Sequence, residues 1–215
     1  TATPPPPFRT VYAFGDSFTD TGNTRSTTGP YSFGYVSSPP YGATFFHRST
    51  NRYSDGRLVV DFLAEALALP SYLPPYLAVS VSNANANATA AGAGVNFAVA
   101  GAFARDASFY RDIPVVGAFA LNTSSSVQLR WFQSLCGHHH PYQADECRGQ
   151  FRDALFFMGE FGVNDYSLSL FGKNLSQIRS FVPDVVKTIS TATEVMLLAA
   201  FFRAACACMA MGCCC

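Results

Sequence analysis

Arg9-Thr10-Val11-Tyr12-Ala13-Phe14, running into Gly15-Asp16-Ser17-Phe18-Thr19-Asp20-Thr21-Gly22-Asn23, decides the fold of this chain. The first six residues form a short β-branched and aromatic run, the pattern of a buried first strand. Gly15 permits a tight turn out of it. A serine just past the carboxyl end of a first parallel strand sits where open α/β sheets bind ligands. A helix starting directly afterwards would set free N–H groups and a favourable dipole beside the Ser17 hydroxyl. That would suit a nucleophile that generates an oxyanion. Taken alone, Gly-Asp-Ser also reads as an ordinary turn with a helix cap.

Composition narrows the class. With 215 residues, one domain with a real core is expected. Hydrophobic residues make up 49% and charged residues 13%, with a formal net charge of zero. That excludes a basic nucleic-acid binder and a disordered chain. The start, Thr1-Ala2-Thr3 and then Pro4 to Pro7, carries no initiator Met and no apolar leader. It is expected to be the mature end of a secreted protein after signal removal, with residues 1–8 an extended Pro-rich arm. Sequons at Asn87, Asn122 and Asn174 fit that compartment as glycosylation candidates. Cys136 and Cys147 flank one loop and could pair, or remain two free thiols. Cys206, Cys208, Cys213, Cys214 and Cys215 match no zinc spacing. His138-His139-His140 reads as a solvated loop, because adjacent residues on an extended loop point in different directions.

The chain in order alternates strands with helices. Residues 24–55, rich in glycine, proline and aromatics, are expected to form an ordered surface loop that includes His47, a structural or pocket-rim residue. Apolar residues at 59, 62, 63, 66 and 67 predict a helix stopped by Pro70. Residues 78–94 are of low complexity and predict a flexible loop. Val95 to Ala100 reads as a strand ended by Gly101, and Ser124-Ser125-Ser126 caps a helix to Leu135. Asp153 to Met158 is a further strand, which delivers Gly162-Val163-Asn164-Asp165. Ser176 opens a helix carrying Ile178, Phe181, Val182, Val185, Val186 and Ile189, interrupted or restarted at Pro183. Strands at about 9–14, 95–100 and 154–158 predict an α/β fold, a three-layer α/β/α sandwich with a mainly parallel sheet.

Gly15-Asp16-Ser17-x-x-Asp20-x-Gly22-Asn23 resembles the first block of the GDSL (SGNH-hydrolase) esterases, in the form used by the large plant branch. Pro40-Tyr41-Gly42, Arg52 to Arg57 and Asp61 to Glu65 continue the likeness. Gly94 to Ala102 resembles the second block, and Gly162 to Asp165 the third. The resemblance implies a flavodoxin-like sheet, here lacking its C-terminal strands and helix. It implies Ser17 as nucleophile and oxyanion N–H, Gly101 as a second oxyanion N–H, and the Asn164 side chain as the third donor. It implies a carboxylic ester substrate (a lipid, a phenolic ester or an acetylated wall glycan), an acyl-enzyme, no cofactor and no metal. The Gly-x-Ser-x-Gly elbow of another hydrolase fold is absent, since position 19 is Thr.

The likeness ends near residue 195. The family's late Asp-x-x-His block, which carries the catalytic acid and base, has no counterpart. The four histidines are preceded three positions earlier by Thr44, Leu135, Cys136 and Gly137. Residues 9–194 are therefore expected to be a partial hydrolase domain, and 195–215 an apolar, Cys-rich tail containing Arg203. A truncated or alternatively spliced product, an anchored or lipidated tail, and a native soluble terminus are the three readings of that end. The expected function is an impaired secreted ester hydrolase of the cell wall. The alternative is a non-catalytic secreted protein that binds acylated carbohydrate or lipid. Nucleic acid is not expected as a partner. Nor is a membrane, although the tail leaves that open.

Overall fold

The computed structural model describes residues 7–28, 34–81, 92–113, 123–135 and 151–201. Asn87, Asn122, Cys136, Cys147, His138 to His140 and the C-terminal cysteines lie outside the described residues. The chain divides into two units, residues 1–102 with 153–161 and residues 103–152 with 162–215.

The first unit holds the sheet. Strand β1 (Thr10–Phe14) lies between β2 (Gly94–Asn96) and β3 (Ala154–Met158), and both pairings are parallel. Val11, Tyr12, Ala13 and Phe14 are all buried, as expected of a central parallel strand covered on both faces. Val11 sits opposite Gly94 on one side and Leu155 on the other. Gly94 has φ +99°, and a Cβ there would lie 1.9 Å from the Val11 carbonyl oxygen, so only glycine fits. Phe14 stacks on Phe97 with centroids 5.0 Å apart. The strand predicted over 95–100 is shorter than expected, since β2 ends at Asn96. Beyond it the backbone still follows the central strand and its turn, with Phe97 N–H donating to Ala13 O and Val99 N–H to Gly15 O.

Helix α1 (Asn23–Thr28) and a 3-10 turn (Gly34–Ser37) lie inside the segment read as a loop. Helix α2 (Val59–Ala66) ends before Pro70, where Ala68 takes φ +51°. Its buried face is Val60, Asp61 and Ala64, with Leu63 and Leu67 packed on the core. The predicted stripe was thus partly misphased, and Val59 and Phe62 are exposed. A carboxylate can be buried here because Arg52 meets Asp61 through two bonds of 2.9 Å, and Asp61 also accepts the Leu58 N–H. Phe62 instead lies 4.1 Å from the Arg57 guanidinium, which also lies 4.0 Å from Phe45 and pairs with Glu65. Helix α3 (Tyr76–Val81) occupies the start of the predicted low-complexity loop.

In the second unit α4 (Ser125–Leu135) packs against the long α7 (Val182–Phe201). Short α5 (Val163–Ser167), a 3-10 turn to Phe171 and α6 (Leu175–Ser180) lie between them in sequence. Asn174, not Ser176, caps α6: its side chain accepts the Gln177 N–H while Gln177 bonds back to the Asn174 N–H. Pro183 falls in the first turn of α7, where its missing N–H costs nothing. Ile178 and Val185 are buried, but Val182 and Val186 of the same predicted stripe are exposed. Phe103, Tyr110 and Ile113 form this unit's core cluster. No helix among the described residues is long and apolar enough to cross a membrane.

Candidate active site

Because the three strands are parallel, their carboxyl ends share one edge. There the chain leaves β1 through Gly15, with φ +146°, into a turn at Asp16 to Thr19. The turn is closed by Asp16, whose carbonyl accepts the Thr19 and Asp20 N–H groups and whose Oδ1 accepts the Phe18 N–H at 3.1 Å. Ser17 is half-buried at its apex and Phe18 beside it is exposed. The expected helix does not begin at the serine. Helix α1 starts six residues later, and its first amides are taken by Asp20, so its dipole meets that carboxylate instead of the Ser17 hydroxyl.

Gly101 lies on the neighbouring loop after β2. Val99 O accepts the Ala102 N–H at 3.1 Å, and Gly101 takes φ +76° at the third position of this turn. That is the type II geometry, which asks for glycine there and turns the Gly101 amide outwards. Among the described residues neither the Ser17 N–H nor the Gly101 N–H has an intramolecular acceptor.

A buried polar network joins the two loops. Asp20 Oδ1 accepts the Gly22 and Asn23 N–H groups, each at 2.7 Å. Its Oδ2 accepts the Thr24 N–H at 3.1 Å, the Thr24 hydroxyl at 2.5 Å and, across to the second loop, the Ala100 N–H at 3.0 Å. Full burial pushes the Asp20 carboxyl above its ordinary range, opposed by the Thr24 hydroxyl and the amides of Gly22, Ala100 and Thr24. Four of these five partners can only donate, an arrangement that opposes the effect of burial and favours the ionised form. Asn23 donates to the carbonyls of Asn96 and Ala98 and accepts the Leu77 N–H. Asn96 donates to Thr19 O at 2.7 Å and accepts the Ala98 N–H. On the β3 side the Thr19 hydroxyl donates to Glu160. Asp20, Asn23 and Asn96 fall inside the sequence blocks, where the resemblance assigns them no role. Their signal was the spacing of two short polar residues after the serine, and a carboxamide inside an otherwise apolar strand.

Asn164 belongs to the second unit, on the first turn of α5, which follows Gly162 with φ +106°. It is half-buried, and its neighbour Asp165 is fully buried. Asp165 accepts the Ala104 N–H at 2.8 Å, the Arg105 N–H at 3.2 Å and the Tyr110 hydroxyl at 2.5 Å. Burial, then the Asp165 charge, pushes the Tyr110 phenol far up. This core carboxylate fixes the start of α5 and so the base of Asn164. His47 is exposed on a turn with φ +53°, its Nδ1 3.2 Å from the Ala43 carbonyl. The Asn174 sequon is exposed at the α6 cap.

Ser17, half-buried, and Gly101 thus lie on two bonded loops at one sheet edge, each with an amide that has no acceptor among the described residues. Chemically, such an arrangement can receive the negative oxygen formed when a hydroxyl attacks a carbonyl. The class it fits is that of parallel α/β serine hydrolases. The chain belongs to the GDSL-like lipase/acylhydrolase family, whose profile matches residues 11–215. Among its relatives is a GDSL esterase/lipase of Arabidopsis thaliana, 42% identical over 190 residues, which span 87% of this chain and 46% of that protein. A second from the same plant is 42% identical over 197 residues, 89% of this chain and 45% of its own. A third is 38% identical over 200 residues, 88% and 50% respectively. The chain spans about half the length of the relatives it matches.

Proposed function

We propose that this chain carries the nucleophile and oxyanion-binding part of a carboxylic ester hydrolase. Ser17 attacks the ester carbonyl. The Ser17 and Gly101 amides receive the oxyanion, and the Asn164 carboxamide keeps the donor role that its block implies. The alcohol leaves, and water releases the acyl group from Ser17. The observation that carries this reading is the pair of amides at Ser17 and Gly101 without an acceptor among the described residues, on loops tied by the Asp20–Ala100 bond. Lipid, phenolic and acetylated-glycan esters all remain within this class, and a secreted, glycosylated protein fits the exposed Asn174 sequon. No cofactor enters the scheme.

Proton transfer from Ser17 is the weak step. The 215 residues contain no Asp-x-x-His, so nothing of that pattern takes the proton. In a well-studied serine protease, loss of the base costs about 10⁶ in kcat and leaves about 10³–10⁴ over water from the oxyanion hole and binding. We expect slow turnover of the same rank from this chain alone. The test is p-nitrophenyl acetate hydrolysis by the chain and by Ser17→Ala. A residual rate that disappears with the substitution supports the reading; equal rates in both refute it.

A further inference from the structure

The first unit contains a cleft of about 410 Å³ that Ser17 does not line. Its walls come from the start of α1, the loop around Arg48 to Arg52, and the run Tyr72 to Ala78. Three arginines line it and no carboxylate does. Arg52 is held by Asp61 through two bonds of 2.9 Å. Arg25 and Arg48 have no ion pair or hydrogen bond among the described residues.

Two hydroxyls in the same wall are also without a partner. Thr21 is only 3% exposed, lines the cleft, and its Oγ1 is buried with no hydrogen bond. Thr50 Oγ1 is buried and unpaired in the same way. A buried hydroxyl with no partner is unfavourable, and such groups call for an explanation. Thr21 sits beside Asp20, yet that carboxylate is filled by other donors. Two guanidinium groups with no counter-charge among the described residues, and two lining residues whose hydroxyls have no partner, ask for the same occupant, a compact negative group rich in acceptors.

We propose that this cleft binds an oxyanion, with Arg25 and Arg48 supplying charge-assisted bonds and Thr21 and Thr50 supplying hydroxyl donors. A sugar carboxylate and a phosphate offer the same acceptors, and both fit this description. The site stands apart from the ester reading, because no step at Ser17 enters it.

The test is calorimetric titration of the 215-residue chain with inorganic phosphate and, separately, with D-galacturonate. Ionic strength is held constant with KCl, and glucose is the neutral control. We expect saturable binding of at least one anion and none of glucose. Phosphate alone would identify a tetrahedral ligand, galacturonate alone a sugar acid, and both together a site that reads charge. Arg25→Gln and Arg48→Gln should each weaken binding about tenfold or more, the loss expected for a charge-assisted bond. Thr50→Val should also weaken binding while leaving the melting temperature unchanged or raised, since it removes an unpaired hydroxyl. Urea unfolding establishes that each variant is folded. If an arginine variant is not, Thr50→Val decides alone. No binding of either anion, or unchanged affinity in the folded variants, overturns the proposal.

Discussion

Replacing Asp20 by asparagine removes one charge and turns one of two acceptor oxygens into a donor. The orientation that costs less keeps the oxygen on the Gly22 and Asn23 amides. The new amide then faces the Thr24 hydroxyl, which can turn to accept it, and the Thr24 N–H, which cannot. Ala100 N–H retains the Thr24 hydroxyl oxygen at 2.7 Å as a second acceptor. At least one buried donor is left without an acceptor, at about 1–3 kcal/mol, and the remaining bonds lose their charge assistance, at about 1 kcal/mol more. The sum, about 2–4 kcal/mol, is a large share of the roughly 5–15 kcal/mol that holds a typical domain folded. Urea unfolding followed by tryptophan fluorescence, with the slope of the transition checked for constancy, measures it. Because Asp20 ties the serine loop to the Gly101 loop, labelling of Ser17 by a fluorophosphonate should slow in the folded variant as well. A loss below about 0.5 kcal/mol, with labelling unchanged, would refute the view that this carboxylate organises the edge.

Two further outcomes follow from other parts of the chain. Gly94→Ala should abolish folding or cost more than about 3 kcal/mol, because its Cβ would lie 1.9 Å from the Val11 carbonyl oxygen at φ +99°. A soluble protein with a wild-type urea midpoint would contradict the strand register. The Ser124 hydroxyl, then that of Ser126, holds the Asp106 carboxyl below its ordinary value of 3.8. With the folded pKa depressed, this stabilisation is complete above about pH 4 and is lost as pH falls through the folded value. The pair Ser124→Ala and Ser126→Ala should therefore lower the melting temperature at pH 6, and the difference from the wild type should shrink as pH falls below the ordinary carboxylate value of 3.8. A difference that does not change with pH would refute it.

The readable and unreadable parts of this protein divide by residue. Thr10 to Phe14 was legible because a central parallel strand is apolar on both faces, so an unbroken run has one good explanation. β3 was legible for a similar reason, as was the α4 helix behind its serines. Helix α2 was read in existence but not in phase. Its apolar positions allow two faces, and the choice is made by Arg52, which neutralises Asp61 and lets a carboxylate turn inward. The end of β2 was missed because Val95 to Ala100 keeps strand-like composition after Asn96, while the Asn96 side chain bends the backbone toward Thr19. The serine turn was expected to lead straight into a helix. No local rule shows that Asp20, three residues on, takes the first helical amides for itself.

By itself the sequence determined the order of the parallel strands' segments, the serine turn and the three blocks that mark its family. These are local matters of apolar runs, turn residues and motif spacing. Tertiary structure alone decided which polar side chains are buried and what they hold. The side chains of Asp20, Asn23 and Asn96 take up backbone groups about 80 residues away in sequence, since buried donors and acceptors must be paired wherever the chain brings them. The same accounting, applied where it fails, isolates Thr21 and Thr50 with the two arginines that have no partner among the described residues. Unpaired groups in a shared cleft are a property of three-dimensional packing, and no reading along the chain could have assembled them.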